Sequence, residues 1–83
     1  MPQLLGTNIL DLRIRLNLNQ SDFGKMLTTS AMTISRWERD NVKPPSGALL
    51  KLGIAAKKVG LNGWPFWEAA GLSRSDARKA IHL

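Results

Sequence analysis

Apolar residues in the first half of the chain recur at helical spacing. Ile9, Leu12 and Leu16 fall three or four positions apart, with Asp11, Arg13 and Arg15 between them, which predicts an amphipathic helix over residues 7–17. Asn19 then stands as an N-cap, and Asp22 three positions on can complete a capping box. A second helix is predicted over residues 20–27, burying Phe23 and Leu27. Thr28-Thr29-Ser30 breaks it, and Ser30 caps a third helix over residues 31–39 whose inward positions are Ile34 and Trp37.

Pro44 and Pro45 exclude a helix over residues 41–45, since each proline restricts the residue before it and lacks an amide donor. Ser46 is expected to cap a fourth helix with Leu49, Leu52, Ala56 and Val59 inward, ended by Gly60 in the left-handed conformation. Asn62-Gly63 is a turn. Trp64-Pro65-Phe66-Trp67 opens a short fifth helix closed by Gly71, with Pro65 suited to its first turn. Ser73-Arg74-Ser75-Asp76 starts a last helix of charged and small residues. No segment alternates with period two for long enough to form a strand, so the predicted class is all-α.

Composition narrows the picture. With 83 residues there is room for one domain and a modest core, and 43% hydrophobic residues suffice for a globular fold. The absence of cysteine removes disulfides and thiolate zinc sites as sources of stability. No apolar run reaches the roughly 18–20 residues that span a bilayer. The start, Met1-Pro2-Gln3-Leu4-Leu5-Gly6, lacks the basic and apolar regions of a signal peptide, so the expected location is cytoplasmic.

The net charge of +6 suits a polyanionic partner. Its distribution changes that reading. Residues 1–42 carry five basic and four acidic groups, and residues 43–83 carry seven and two. The excess therefore lies downstream of the helix pair.

If Ile34 and Trp37 point inward, the third helix turns Ala31, Met32, Thr33, Ser35 and Arg36 outward. That slim face with one long cation fits a major groove about 12 Å wide. Three stretches together resemble the phage-repressor and Cro-like helix-turn-helix proteins, the Xre group. They are Leu-Arg-Ile-Arg-Leu-Asn-Leu-Asn-Gln (12–20), Ser-Ala-Met-Thr-Ile-Ser-Arg-Trp-Glu-Arg (30–39), and Pro45 through Leu49-Leu50-Lys51-Leu52.

The resemblance implies a compact five-helix repressor-like bundle. Residues 1–63 would form the DNA-binding domain, and residues 64–83 a helical extension packed on it or forming a dimer contact. It places Ala31, Met32, Thr33, Ser35 and Arg36 at base edges, where Arg36 can bond O6 and N7 of guanine. It places Gln20, Thr28, Thr29, Arg39, Asn41 and Lys43 at phosphates, which set register rather than sequence preference. Arg13 and Glu38 match an ion pair tying the first helix to the third.

Three positions depart from the family pattern. Thr28 stands where the family usually has glycine, and a β-branched residue resists positive φ, so a turn phased one residue differently is the alternative. Asp40 replaces a second glycine, though Asp40 or Asn41 tolerates that conformation. Gly24 replaces the usual alanine, keeping the side chain small where the helices cross.

The expected partners are double-stranded DNA and a second copy of the chain, with no membrane and no cofactor. A protein partner, such as a toxin, belongs to the alternative reading, in which the scaffold is an interaction module using its aromatic extension. Trp64, Phe66 and Trp67 either cap the core or form a patch for a second subunit. Arg74, Arg78 and Lys79 read as a solvated face. His82, without cysteine or clustered carboxylates near it in sequence, makes no metal or general-base site, and no catalytic constellation points to an enzyme.

Overall fold

The computed structural model describes residues 5–72. Among them are five helices and no strand: α1 (Leu5–Arg15), α2 (Gln20–Met26), α3 (Ala31–Glu38), α4 (Ser46–Lys58) and α5 (Trp64–Ala69). The helix expected from Ser73 onward, with Arg74, Arg78, Lys79 and His82, lies outside the described residues. The chain divides between Pro44 and Pro45 into two compact units, one holding α1–α3 and the other α4 and α5.

In the first unit α3 packs against both α1 and α2. The core is built from Ile9 and Leu12 of α1, Phe23 of α2 with Leu27 at its C-cap, and Ile34 and Trp37 of α3, all buried. Full burial of side chains such as Phe23 or Ile34 stabilises by about 1.5–3 kcal/mol each. No helix of 7 or 8 residues, the lengths of α2 and α3, would hold in water by propensity alone. Packing and caps hold them. Asn19 Oδ1 accepts from the Asp22 amide at 2.7 Å, and Ser30 Oγ accepts from the Thr33 amide at 3.1 Å.

In the second unit α5 packs on α4. Ala48, Leu49, Leu52 and Ala56 are buried along α4, with Val59 half-buried, and Phe66 and Trp67 are buried on α5. The Trp67 indole lies so close over Gly53 that a β-carbon there would collide with its Nε1, Cε2 and Cδ1.

Two expectations need correction. The first helix runs Leu5–Arg15 rather than residues 7–17, because its amino end is held from outside by Asp40, as described below. Ser46 is not the cap of α4 but its first residue. Pro45 holds the cap position in extended conformation (φ −66°, ψ 159°) without a side-chain cap, and its carbonyl accepts the first helical bond from the Leu49 amide. Proline suits that position, since its fixed φ is satisfied and no amide is missed.

All five helices end in the same way. In each, the residue after the C-cap lies at positive φ: Asn17 at 58°, Thr28 at 59°, Asp40 at 58°, Gly60 at 81° and Gly71 at 84°. Each makes the paired reverse bonds of a Schellman turn. At Thr28 these run from the Thr29 amide to the Gly24 carbonyl (2.8 Å) and from the Thr28 amide to the Lys25 carbonyl (3.2 Å). The turn between α2 and α3 is therefore phased with Thr28 in the glycine position, and the alternative shifted turn does not occur. Gly24 is small because of that same turn: a β-carbon on it would lie 2.8 Å from the Thr29 carbonyl oxygen.

Thr28 is the costly member of the series, since an L-residue in this region costs roughly 1–2 kcal/mol and branching at Cβ adds to it. Thr28→Gly is therefore expected to stabilise the protein by about 1 kcal/mol after the glycine's extra unfolded-state entropy is offset. Melting followed by circular dichroism should rise by about 4–8 °C. A fall in the midpoint would mean that the hydroxyl or methyl of Thr28 contributes more than the backbone strain costs.

Candidate nucleic-acid interface

The face of α3 opposite its buried pair is set by a 3.6-residue period. Met32 and Arg36, one turn apart, are its exposed row, and Met32 is 63% exposed although it is a large apolar side chain. Ala31, Thr33 and Ser35 flank that row and are half-buried. The Thr33 hydroxyl is engaged in the cap, accepting from Ser30 Oγ at 3.0 Å. Arg36 presents an exposed guanidinium, a planar group with paired donors suited to the acceptor edge of guanine.

The backbone-facing residues fall into three groups. Thr28, exposed, and Thr29, half-buried, precede α3, while Asn41 and Lys43, both exposed, follow it. They thus bracket the helix from its two ends. Arg39 is exposed and folds back along α3, its Nε donating to the Ser35 carbonyl at 3.3 Å. Gln20 is half-buried and points its amide nitrogen into the protein, onto Glu38.

Behind this face, a polar cluster fixes how α3 sits. Arg13 Nε on α1 donates to Glu38 Oε2 at 2.6 Å, with side chains 17% and 6% exposed respectively. Arg13 Nη2 reaches Glu38 Oε1 at 3.3 Å, and Nη1 reaches the Leu18 carbonyl at 3.0 Å. Gln20 Nε2 adds a bond to Glu38 Oε1 at 3.0 Å. The Glu38 carboxylate therefore joins α1, the first residue of α2 and the last of α3, and Arg13 ties in the link before α2.

Two features here were missed in the sequence. Asp40 Oδ1 accepts from the Gly6 amide at 2.9 Å, capping α1 from 34 residues away, and a β-carbon on Gly6 would strike the Glu38 carbonyl. Asp40 so serves twice, ending α3 at positive φ and starting α1. The inward turn of Gln20 was the second. No local signal marks either, because both partners are distant in sequence.

Of the aromatic trio, Phe66 and Trp67 are buried, 2% and 6% exposed, and so have almost no surface to offer a second subunit. Trp64 is half-buried. Among the described residues no group of three or more His, Cys, Asp or Glu side chains is arranged to hold a metal ion. No helix among them is long and apolar enough to cross a membrane.

An all-helical arrangement with two short helices packed at a capped turn, the second carrying an exposed polar row, defines a helix-turn-helix protein. Residues 9–53, more than half of the chain, match the helix-turn-helix family, and the chain belongs to that family, of the Xre and Cro type. It is thus a DNA-binding regulator in its general class. No curated protein and no solved structure matches the chain.

Proposed function

We propose that the chain is a sequence-specific transcriptional regulator of the small repressor, controller or antitoxin type, acting in the cytoplasm as a homodimer on two-fold related DNA. In this reading α3 enters the major groove with Ala31, Met32, Thr33, Ser35 and Arg36 toward the bases. Thr28, Thr29, Arg39, Asn41 and Lys43 meet phosphates on either side. Residues 1–63 carry the DNA contacts, and the 64–83 extension packs on them or forms the dimer contact.

The observation that carries the proposal is the pairing of faces on α3. Ile34, Trp37 and Glu38 anchor one side, while Met32 and Arg36 stand exposed on the other. Ile14 on α1 is as exposed as Met32, so exposure alone assigns no role. A thymine methyl, however, is a surface that methionine can cover.

Selection of bound sequences from random duplex DNA, at fixed near-physiological salt, tests it. An enriched inverted repeat is expected, with half-site centres about 34 Å apart, one helical turn. Binding that is sensitive to salt but blind to sequence would sink the proposal.

A further inference from the structure

The geometry points to Gln20 as a positioning residue that sets the angle of α3, rather than as a phosphate contact. This rests on the DNA-reading role proposed above. Gln20 is the first residue of α2, and Glu38 is the last residue of α3. The bond between them, 3.0 Å from Nε2 to Oε1, spans the two helices that make the motif. Its acceptor belongs to a side chain only 6% exposed. The amide nitrogen is therefore directed onto Glu38, while Gln20 as a whole is half-buried.

Glu38 is placed to transmit such a constraint. It follows Trp37, which anchors α3 in the core, and lies two positions beyond Arg36, which stands exposed. Arg13 fixes Oε2 from the side of α1, and Gln20 fixes Oε1 from the side of α2. Without Gln20, Glu38 remains tied to α1 alone, and the angle of α3 to α2 is left to their apolar packing and the turn between them, which permit a small tilt. A tilt moves the Met32–Arg36 row relative to the base edges. Hydrogen-bonded readout tolerates little displacement, so sequence preference should suffer before general attraction to DNA does.

The two roles for Gln20 differ in a measurable way. A phosphate contact through this neutral amide would contribute equally on all sequences and, with no charge to release counterions, nothing to the slope of log K against log salt. A positioning residue contributes to the ratio between the preferred duplex and a random one, and likewise leaves that slope alone.

The test uses the full chain carrying Gln20→Met, which keeps length and helix propensity and removes both donor and acceptor. Gln20→Ala serves as a second variant. Fluorescence anisotropy over a series of salt concentrations gives affinity for the selected duplex and for random duplex. Melting in parallel fixes the folded fraction, and the wild type on the same duplexes separately tests whether the chain reads DNA.

The expected result is a loss of preference for the selected site of roughly 2- to 30-fold, with the salt slope unchanged. An equal loss of affinity on the selected and the random duplex, with the preference intact, would make Gln20 a phosphate contact and overturn the assignment. So would a lower melting point with preference and affinity both unchanged in the folded protein, which would leave only a structural role.

Discussion

Arg13→Ala is expected to destabilise the protein by about 3–5 kcal/mol, because it strands a carboxylate that is only 6% exposed. Glu38 would keep one donor, Gln20, in place of three bonds, and the Leu18 carbonyl would lose its partner at the link into α2. A domain of this length holds on the order of 4–12 kcal/mol in all, so the variant should be partly unfolded at room temperature or nearly so. Glu38→Ala should cost a similar amount. The double variant should cost clearly less than the two losses combined, since no unpaired charge then remains. Urea titrations followed by circular dichroism measure all three. Single losses below about 1 kcal/mol, the range of exposed pairs, would show that water reaches the cluster.

The second large effect is steric. Gly53→Ala is expected to cost about 2–3 kcal/mol, although alanine in a helix is favoured over glycine by about 1 kcal/mol. The added β-carbon falls on the Trp67 indole, whose far edge is already close to Gly63. A β-carbon at that glycine would lie 2.9 Å from Trp67 Cη2. Retreat of the ring toward Gly63 is therefore blocked as well. Its Nε1 is buried without a hydrogen-bond partner, so nothing polar anchors this contact and shape alone holds it.

Gly47→Ala on the same helix is the control. A β-carbon there meets nothing within 4 Å, and the change should stabilise by up to about 1 kcal/mol. Chemical denaturation monitored by tryptophan fluorescence distinguishes the two. A stabilising Gly53→Ala would mean that the indole can shift at little cost.

What the sequence made legible follows from the range of the forces involved. The apolar period located the helices, and the oxygen-bearing residues Asn19 and Ser30 located the starts of α2 and α3, because both signals act within one or two turns. Gly60 and Gly71 marked helix ends for the same reason. Asn17 passed unnoticed as an end, although asparagine tolerates the left-handed region better than most residues. Thr28 was harder: its chemistry argues against the conformation it holds. Only the surrounding reverse bonds and the packing of α2 on α3 keep it there.

The polar links behind α3 were only partly legible. Arg13 and Glu38, 25 residues apart, were suggested by family resemblance and not by local pattern. The bonds from Gln20 to Glu38 and from Gly6 to Asp40 span 18 and 34 residues, and neither follows from any period or cap rule. Similarly, the pattern around Trp64, Phe66 and Trp67 announced a hydrophobic cluster without saying which rings face inward. Gly53, on α4, leaves the space that Trp67 of α5 fills.

The central claim is that α3 reads bases and that Arg36 is its main polar reader. The most direct measurement is a binding selection repeated with Arg36→Ala beside the wild type, at the same salt concentration. The variant should still return the inverted repeat but lose its preference at one base pair in each half-site, with affinity for the original site lower by about 1–3 kcal/mol. An unchanged sequence profile, or a weakening spread evenly over all sequences, would contradict the assignment of Arg36 to a base edge.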